Sequence, residues 1–237
     1  MELVRRTYRE GHDIGSHTYY HKNLFEALEE GTMELNIDKM SDTIYTILGI
    51  KPAFFRPPQG DGGFQEVENS REKEMTDEIQ TYLGTRGYSI IMWGTDTRDW
   101  QYQGNLEKVL ATLNEELKAP KVSAKTHSFI SLFHDVYPTT VSIILPAVIE
   151  YVRAFGYTFV SLSECIGVSP YQPLPPENIT CNINRSSSIR QKQSNCTTLS
   201  STTDEEFNMS SSASQTSPIL IMIVFNILII LSLFLYI

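Results

Sequence analysis

An α/β fold built on a parallel sheet is predicted for residues 1–168, and two features of the sequence predict it. Short apolar, strand-like runs alternate with longer stretches of helical periodicity, the pattern of strand–helix–strand units. Polar clusters rich in His, Asp and Arg follow directly on three of those runs. In parallel α/β folds chemistry sits at the carboxyl ends of strands, so the clusters stand where that rule expects them.

The elements follow in order. Met1–Arg9 reads as the end of an amphipathic helix stopped by Gly11. Glu26–Leu48 carries apolar residues at helical spacing and reads as one long helix, closed by Gly49 ahead of Pro52. Ala53–Phe55 is a short strand entering a Pro/Gly loop. Tyr88–Trp93 (YSIIMW) has the continuous apolar pattern of a buried strand, and Asn105–Leu117 reads as a helix. Phe129–Phe133 is a second buried strand, Thr140–Phe155 a helix, and Tyr157–Leu162 a last strand. A length of 237 residues with 41% hydrophobic content accommodates one such domain with appendages.

The composition changes after residue 168. Residues 169–218 are rich in Ser, Thr, Pro and Asn, which suits a disordered, glycosylated stalk. Its acceptor sequons begin at Asn178, Asn184, Asn195 and Asn208. Residues 219–237 are almost wholly apolar and long enough to cross a bilayer. With the small residues Ser210–Ser214 and a short polar spacer before it, this tail reads as a GPI-anchor signal or as a retained tail anchor. Either reading makes the membrane a partner and places the protein at the cell surface, on the extracellular face of the plasma membrane or in the cell wall. The start, MELVRRTYREGHDIG, has no apolar signal region, in conflict with that location, so an N-terminally truncated sequence is expected. The net charge of −9 argues against nucleic acid, whose phosphates need a basic surface. Cys165, Cys181 and Cys196 form no CxxC pair, and three cysteines allow one bridge with a thiol left over or a partner elsewhere.

Four clusters carry the chemistry: GSHTYYH, FFRPPQG, DTRDW and ISLFHD. His17 and His21 are four apart, a spacing that puts two imidazoles on one face of a turn and within reach of one metal ion. Taken alone they could equally be two surface histidines, and a catalytic zinc needs a third protein ligand. Arg56 can grip a carboxylate in a bidentate pair, and the amide of Gln59 can face a developing oxyanion; the bland alternative is a solvated turn. Asp96, Asp99 and Trp100 follow YSIIMW. Asp99 suits pairing with a histidine, raising its pKa, and Trp100 suits the wall of a small apolar pocket. A helix cap followed by a core Trp explains the same residues. His134 and Asp135 end the run FISLF, where an imidazole is placed for proton transfer with Leu132 beside it. His12 and His127 lack such a setting and read as surface residues.

The order and spacing of these four motifs resemble those of the polysaccharide deacetylase family, also called carbohydrate esterase family four. The run FVSLSECIGVSPYQ and the Ser-rich tail are most like the fungal chitin deacetylases. The resemblance implies a distorted (β/α) barrel and hydrolysis of N-acetyl groups from chitin, peptidoglycan or xylan. It implies that His17 and His21 bind zinc, or another divalent metal such as cobalt. It implies further that Arg56 holds the catalytic base, the backbone amide of Gln59 stabilises the oxyanion, and Trp100 and Leu132 line the pocket for the acetyl methyl. His134 would be the general acid, tuned by Asp99. The family usually has Tyr at position 59, and here it is Gln. The family's Thr-Phe-Asp-Asp motif, whose aspartates are the base and the third metal ligand, is absent, so the barrel is expected to lack its first strands. Asp13 lies too near His17 in sequence to replace either aspartate. The reading is therefore a metal-dependent chitin deacetylase that yields chitosan and acetate in cell-wall remodelling. The alternative is a catalytically inactive wall glycoprotein that binds glycan.

Overall fold

The computed structural model describes residues 1–64, 66 and 69–174. The expected stalk with Asn178, Asn184, Asn195 and Asn208, the apolar tail 219–237, Cys181 and Cys196 lie outside the described residues. Among the described residues no helix is long and apolar enough to cross a membrane.

The sheet is parallel, as the alternation predicts, but its strands are very short. β1 (Phe54–Phe55) pairs in parallel with β2 (Ser89–Ile90), and β3 (Thr95–Asp96) pairs in parallel with β4 (Ser131–Leu132). A single parallel bridge from Ser16 to Phe55 adds the His17 segment beside β1. The fold is mixed α/β, and no closed barrel forms among the described residues, because the strands make two separate pairs. One extended segment joins them. Ile91 N–H donates to Phe55 O on the first pair, and Gly94 N–H donates to Ile130 O on the second.

Alternation of side chains across β1 divides the core. Phe55 packs with Leu24, Ala27, Ile37, Ile79 and Leu83 under α2 (Leu24–Glu29), α3 (Met33–Leu48) and α4 (Ser70–Thr85). Phe54 faces the other way, onto Ile91 and Leu162. A second core joins α6 (Leu106–Leu117) to α7 (Leu145–Ala154). Val109, Leu113 and Leu117 recur every fourth residue on α6 and meet Ile144, Val148 and Val152. Each such buried side chain contributes about 1.5–3 kcal/mol.

Three expected elements differ. The single helix Glu26–Leu48 is two helices. Gly31 takes a φ of 68°, and Thr32 N–H turns back to Ala27 O, which closes α2 and starts α3 in a new direction. The strand expected at Tyr157–Leu162 is a lone bridge at Phe159. Its end is taken instead by α8 (Leu162–Ile166), because Ser161 accepts from Glu164 N–H as an N-cap. The strand Tyr88–Trp93 is reduced to β2, with Ser89 exposed. Elsewhere α1 (Glu2–Arg9) ends just ahead of Gly11, and α6 starts on the Asn105 cap.

The helix expected at Thr140–Phe155 exists, but its first turn, Thr140–Ile144, is π-helical. Leu145 N–H donates to Thr140 O, five residues back. Pro146 explains the widening. It has no N–H to offer Ser142 O, and its ring would clash with that carbonyl in an α-turn.

Gly31 isolates the backbone effect, since a methyl group there would meet nothing within 4 Å. Gly31→Ala should lower the unfolding free energy by about 1 kcal/mol through the left-handed backbone alone. Urea denaturation measures this, and an unchanged midpoint would mean that α2 and α3 form one continuous helix.

Candidate functional site

The four clusters converge at the carboxyl ends of the strands. His17 follows the Ser16 bridge, Arg56 follows β1, Asp99 follows β3 and His134 follows β4. The loops that hold them are strained. Thr18, His21, Gln59 and Arg98 have φ values of 64°, 53°, 60° and 53°, a region that side-chain-bearing residues rarely adopt. Each costs of order 1–3 kcal/mol and persists only where its surroundings hold it, a pattern that concentrates at functional sites.

The imidazoles of His17 and His21 stand edge to face, 4.7 Å between ring centres. His17 Nδ1 lies 2.6 Å from Arg56 O. A carbonyl only accepts, so Nδ1 carries the proton and Nε2 is left as the lone-pair nitrogen. Burial pushes the His17 imidazole down to about 3, against the opposing effect of the Arg56 bond, so the ring is neutral. Burial also lowers His21, and the neighbouring His134 ring acts in the same direction on both. Two neutral imidazoles, one oriented through its far nitrogen, fit two positions around a divalent cation. Among the described residues no group of three His, Cys, Asp or Glu side chains completes such a set. Asp13 is engaged elsewhere: its carboxylate accepts from Ser163 N–H at 2.7 Å and Ser163 Oγ at 2.9 Å.

Arg56 is the largest fully buried side chain among the described residues. Nε donates to Ile91 O at 3.1 Å, and the guanidinium lies 5.6 Å from the centre of the Trp93 ring. Nη2 is buried with no partner among the described residues. Burial lowers its pKa to about 10, yet the group stays charged at neutral pH. A buried cation without a counter-ion is costly, and it is a ready seat for a carboxylate.

Asp99 opens α5 (Asp99–Tyr102) and is wholly buried. Oδ1 accepts from His134 Nδ1 at 2.8 Å. Oδ2 accepts from His134 N–H at 2.7 Å and from Thr140 Oγ1 at 2.8 Å. Burial alone would raise this carboxyl, but the bonds from His134 and Thr140 outweigh it and hold the pKa below the aspartate value of 3.8. With Nδ1 committed to Asp99, only His134 Nε2 is open to a reactant.

The other candidates are more peripheral. Gln59 is exposed, and its side-chain oxygen accepts from Asn23 Nδ2 at 3.2 Å. Asn23 also caps α2, so one side chain ties the His17–His21 loop to the Pro/Gly loop. Leu132 is buried on β4, Trp100 is 45% exposed on α5, and Asp135 is exposed. Asp96 accepts from Arg98 N–H and shapes the turn into α5. Three contributors were not singled out from the sequence. Trp93 stood only as the end of an apolar run. Thr97, whose hydroxyl donates to Leu132 O at 2.6 Å, and Thr140 carry no sequence signal of their own.

Comparison with known proteins adds to this geometry. Residues 1–79 match the model of the polysaccharide deacetylase family. The chain is 30% identical to the peptidoglycan-N-acetylglucosamine deacetylase PgdA of Listeria monocytogenes, over 70% of this chain and 30% of the relative. It is 29% identical to the chitin deacetylase of Colletotrichum lindemuthianum, over 71% of this chain and 62% of the relative. The solved structure of the chitin deacetylase from that fungus superposes with a TM-score of 0.59 at 26% identity, covering 72% of this chain and 70% of that one. The chain spans 44% and 30% of the length of the first curated relatives it matches.

Asp99 sets a stability signature. Its folded pKa is depressed, so its contribution is present above the unfolded value near 3.8 and is lost as pH falls through the folded value. The stability gap between the native protein and Asp99→Asn should be widest above about pH 4 and should shrink below it. Denaturation midpoints at pH 7 and pH 3 check this, and a gap independent of pH would show that Asp99 is not held charged.

Proposed function

We propose, from the match of residues 1–79 to the polysaccharide deacetylase family and the similarity to its members, that this chain hydrolyses N-acetyl groups of a β-linked N-acetylglucosamine polymer, chitin in the first instance. The observation that carries the reading is the pairing of two devices at one set of strand ends: neutral His17 with His21, and His134 anchored by buried, charged Asp99. An amide-hydrolysing site needs an electrophilic seat for the carbonyl and an acid for the departing nitrogen.

In this reading His17 and His21 hold a divalent metal, zinc, as two of its ligands. When bound, the metal polarises the acetamide carbonyl and lowers the pKa of a water. The Arg56 guanidinium is a seat for the carboxylate base that the family's Asp-Asp motif would supply; among the described residues Nη2 has no partner. His134 delivers a proton from Nε2 to the amine as the C–N bond breaks, and Asp99 fixes its tautomer and stabilises the imidazolium. The backbone amide of Gln59 faces the oxyanion, and Leu132 and Trp100 line the methyl pocket. The products are acetate and a free amine on the sugar.

Chitin is proposed first because the run FVSLSECIGVSPYQ and the Ser-rich tail are most like the fungal chitin deacetylases, and the similarity to the Colletotrichum enzyme supports it. The similarity to PgdA makes peptidoglycan N-acetylglucosamine the substrate to test beside it. The cell surface or wall is the proposed location, with residues 169–218 as a stalk and 219–237 as an anchor or its signal. The intact His134–Asp99 pair lends no support to a glycan-binding protein without turnover.

Acetate released from N-acetylglucosamine oligomers by the full-length protein tests the reading. His134→Ala should lower kcat by roughly 10²–10⁴-fold, and turnover indifferent to this change would overturn the assignment. Chelation should abolish acetate release and added zinc should restore it; activity that survives exhaustive chelation would remove the metal from the proposal.

A further inference from the structure

Asp99 accepts three hydrogen bonds, and two of them come from His134 itself. The third comes from Thr140, which belongs to a different element and is 1% exposed. The hydroxyl sits on the first residue of the π-helical turn. That turn follows from Pro146, which denies Ser142 O a donor and forces the wider loop. The turn also has two faces. Val141 and Ile143 are 50% and 48% exposed, while Thr140 and Ile144 are buried. Thr140 is therefore the buried polar group of an otherwise apolar inner face, and its hydroxyl has one target.

Geometry limits the alternatives for Asp99 Oδ2. The Thr97 hydroxyl is committed to Leu132 O at 2.6 Å and is 3.5 Å from the other carboxylate oxygen. A hydroxyl donates one proton, so Thr97 does not hold Asp99. Without Thr140 the carboxylate would keep only bonds from His134, the residue it is meant to orient, and the pair could rotate as a unit.

We infer that Thr140 is a positioning residue of the site: its hydroxyl, aimed by the π-helical turn, locks the Asp99 carboxylate and through it the ring plane and tautomer of His134. The inference extends the proposed function, and its kinetic arm rests on that reading. A residue that acts only through the acid should change kcat and leave substrate affinity alone.

The experiment compares Thr140→Val, which keeps the shape and loses the hydroxyl, with Thr140→Ser, which restores it, in the full-length protein. Thr140→Ala stands in should Val fail to fold. Acetate release should show kcat lowered roughly tenfold or more by Val with KM within about twofold, and Ser should recover most of the loss. A second readout needs no turnover. The proton on His134 Nδ1, bonded to Asp99, should give a downfield resonance by NMR that is protected in the native protein and the Ser variant. In the Val variant it should exchange faster. Failure of the native protein to release acetate would sink the deacetylase reading alone, and the Nδ1 proton would still decide the role of Thr140. Equal exchange and equal kcat in Val and native protein, or a Ser variant as poor as Val, would overturn the inference.

Discussion

The buried guanidinium of Arg56 is the constraint on which the rest of the site depends. Its residue joins three segments at once. The backbone N–H donates to Ser16 O, the backbone carbonyl takes His17 Nδ1, and Nε reaches Ile91 O beyond β2. Trp93 covers one face of the cation. Removing the guanidinium would leave Ile91 O without its donor, while the backbone carbonyl would still hold the His17 ring. Keeping it obliges the fold to hold a cation in the dry interior, with Nη2 still unmatched among the described residues. The hydrophobic packing of Phe54 and Phe55 on either side of the strand holds Arg56 in place despite that cost.

A second constraint runs in parallel. Asp99 is an anion in the interior, but unlike Arg56 it is fully matched by His134 and Thr140. Matched and unmatched buried charges have different consequences. The matched anion stabilises the native state at neutral pH and orients a ring. The unmatched cation is a standing demand for a negative group, and any ligand that supplies one gains from it.

How far the sequence revealed this can be judged residue by residue. The alternation of apolar runs and helices was enough for a parallel α/β fold, and three of the four polar clusters marked strand ends, the fourth joining them through the Ser16 bridge. What escaped were features that depend on single backbone conformations. The helical spacing of Glu26–Leu48 runs across Gly31 unbroken, yet its left-handed φ divides the helix. Pro146 lies inside the expected helix Thr140–Phe155, and the π-turn ahead of it makes it a first-turn proline of α7. Ser161 looked like the tail of a strand until its side chain proved to cap α8. Trp93 and Thr140 were invisible for a different reason. A ring over a cation and a hydroxyl on a carboxylate are long-range contacts, and no local pattern carries them.

The two strand pairs divide the chemistry between them. Arg56 and, through the Ser16 bridge, the His17–His21 pair belong to β1 and β2, while the Asp99–His134 pair belongs to β3 and β4. Among the described residues, 88–96 run through both. A molecule that touches His17, His21 and His134 at the same time is therefore a non-covalent crosslink between two separately hydrogen-bonded strand pairs. Such a ligand acts on the folding equilibrium as well as on the site, since it binds the assembled pairs and not the unfolded chain. On the proposed function, the polymer would be in part a structural member of the site that holds it, joining the two strand pairs while it is bound.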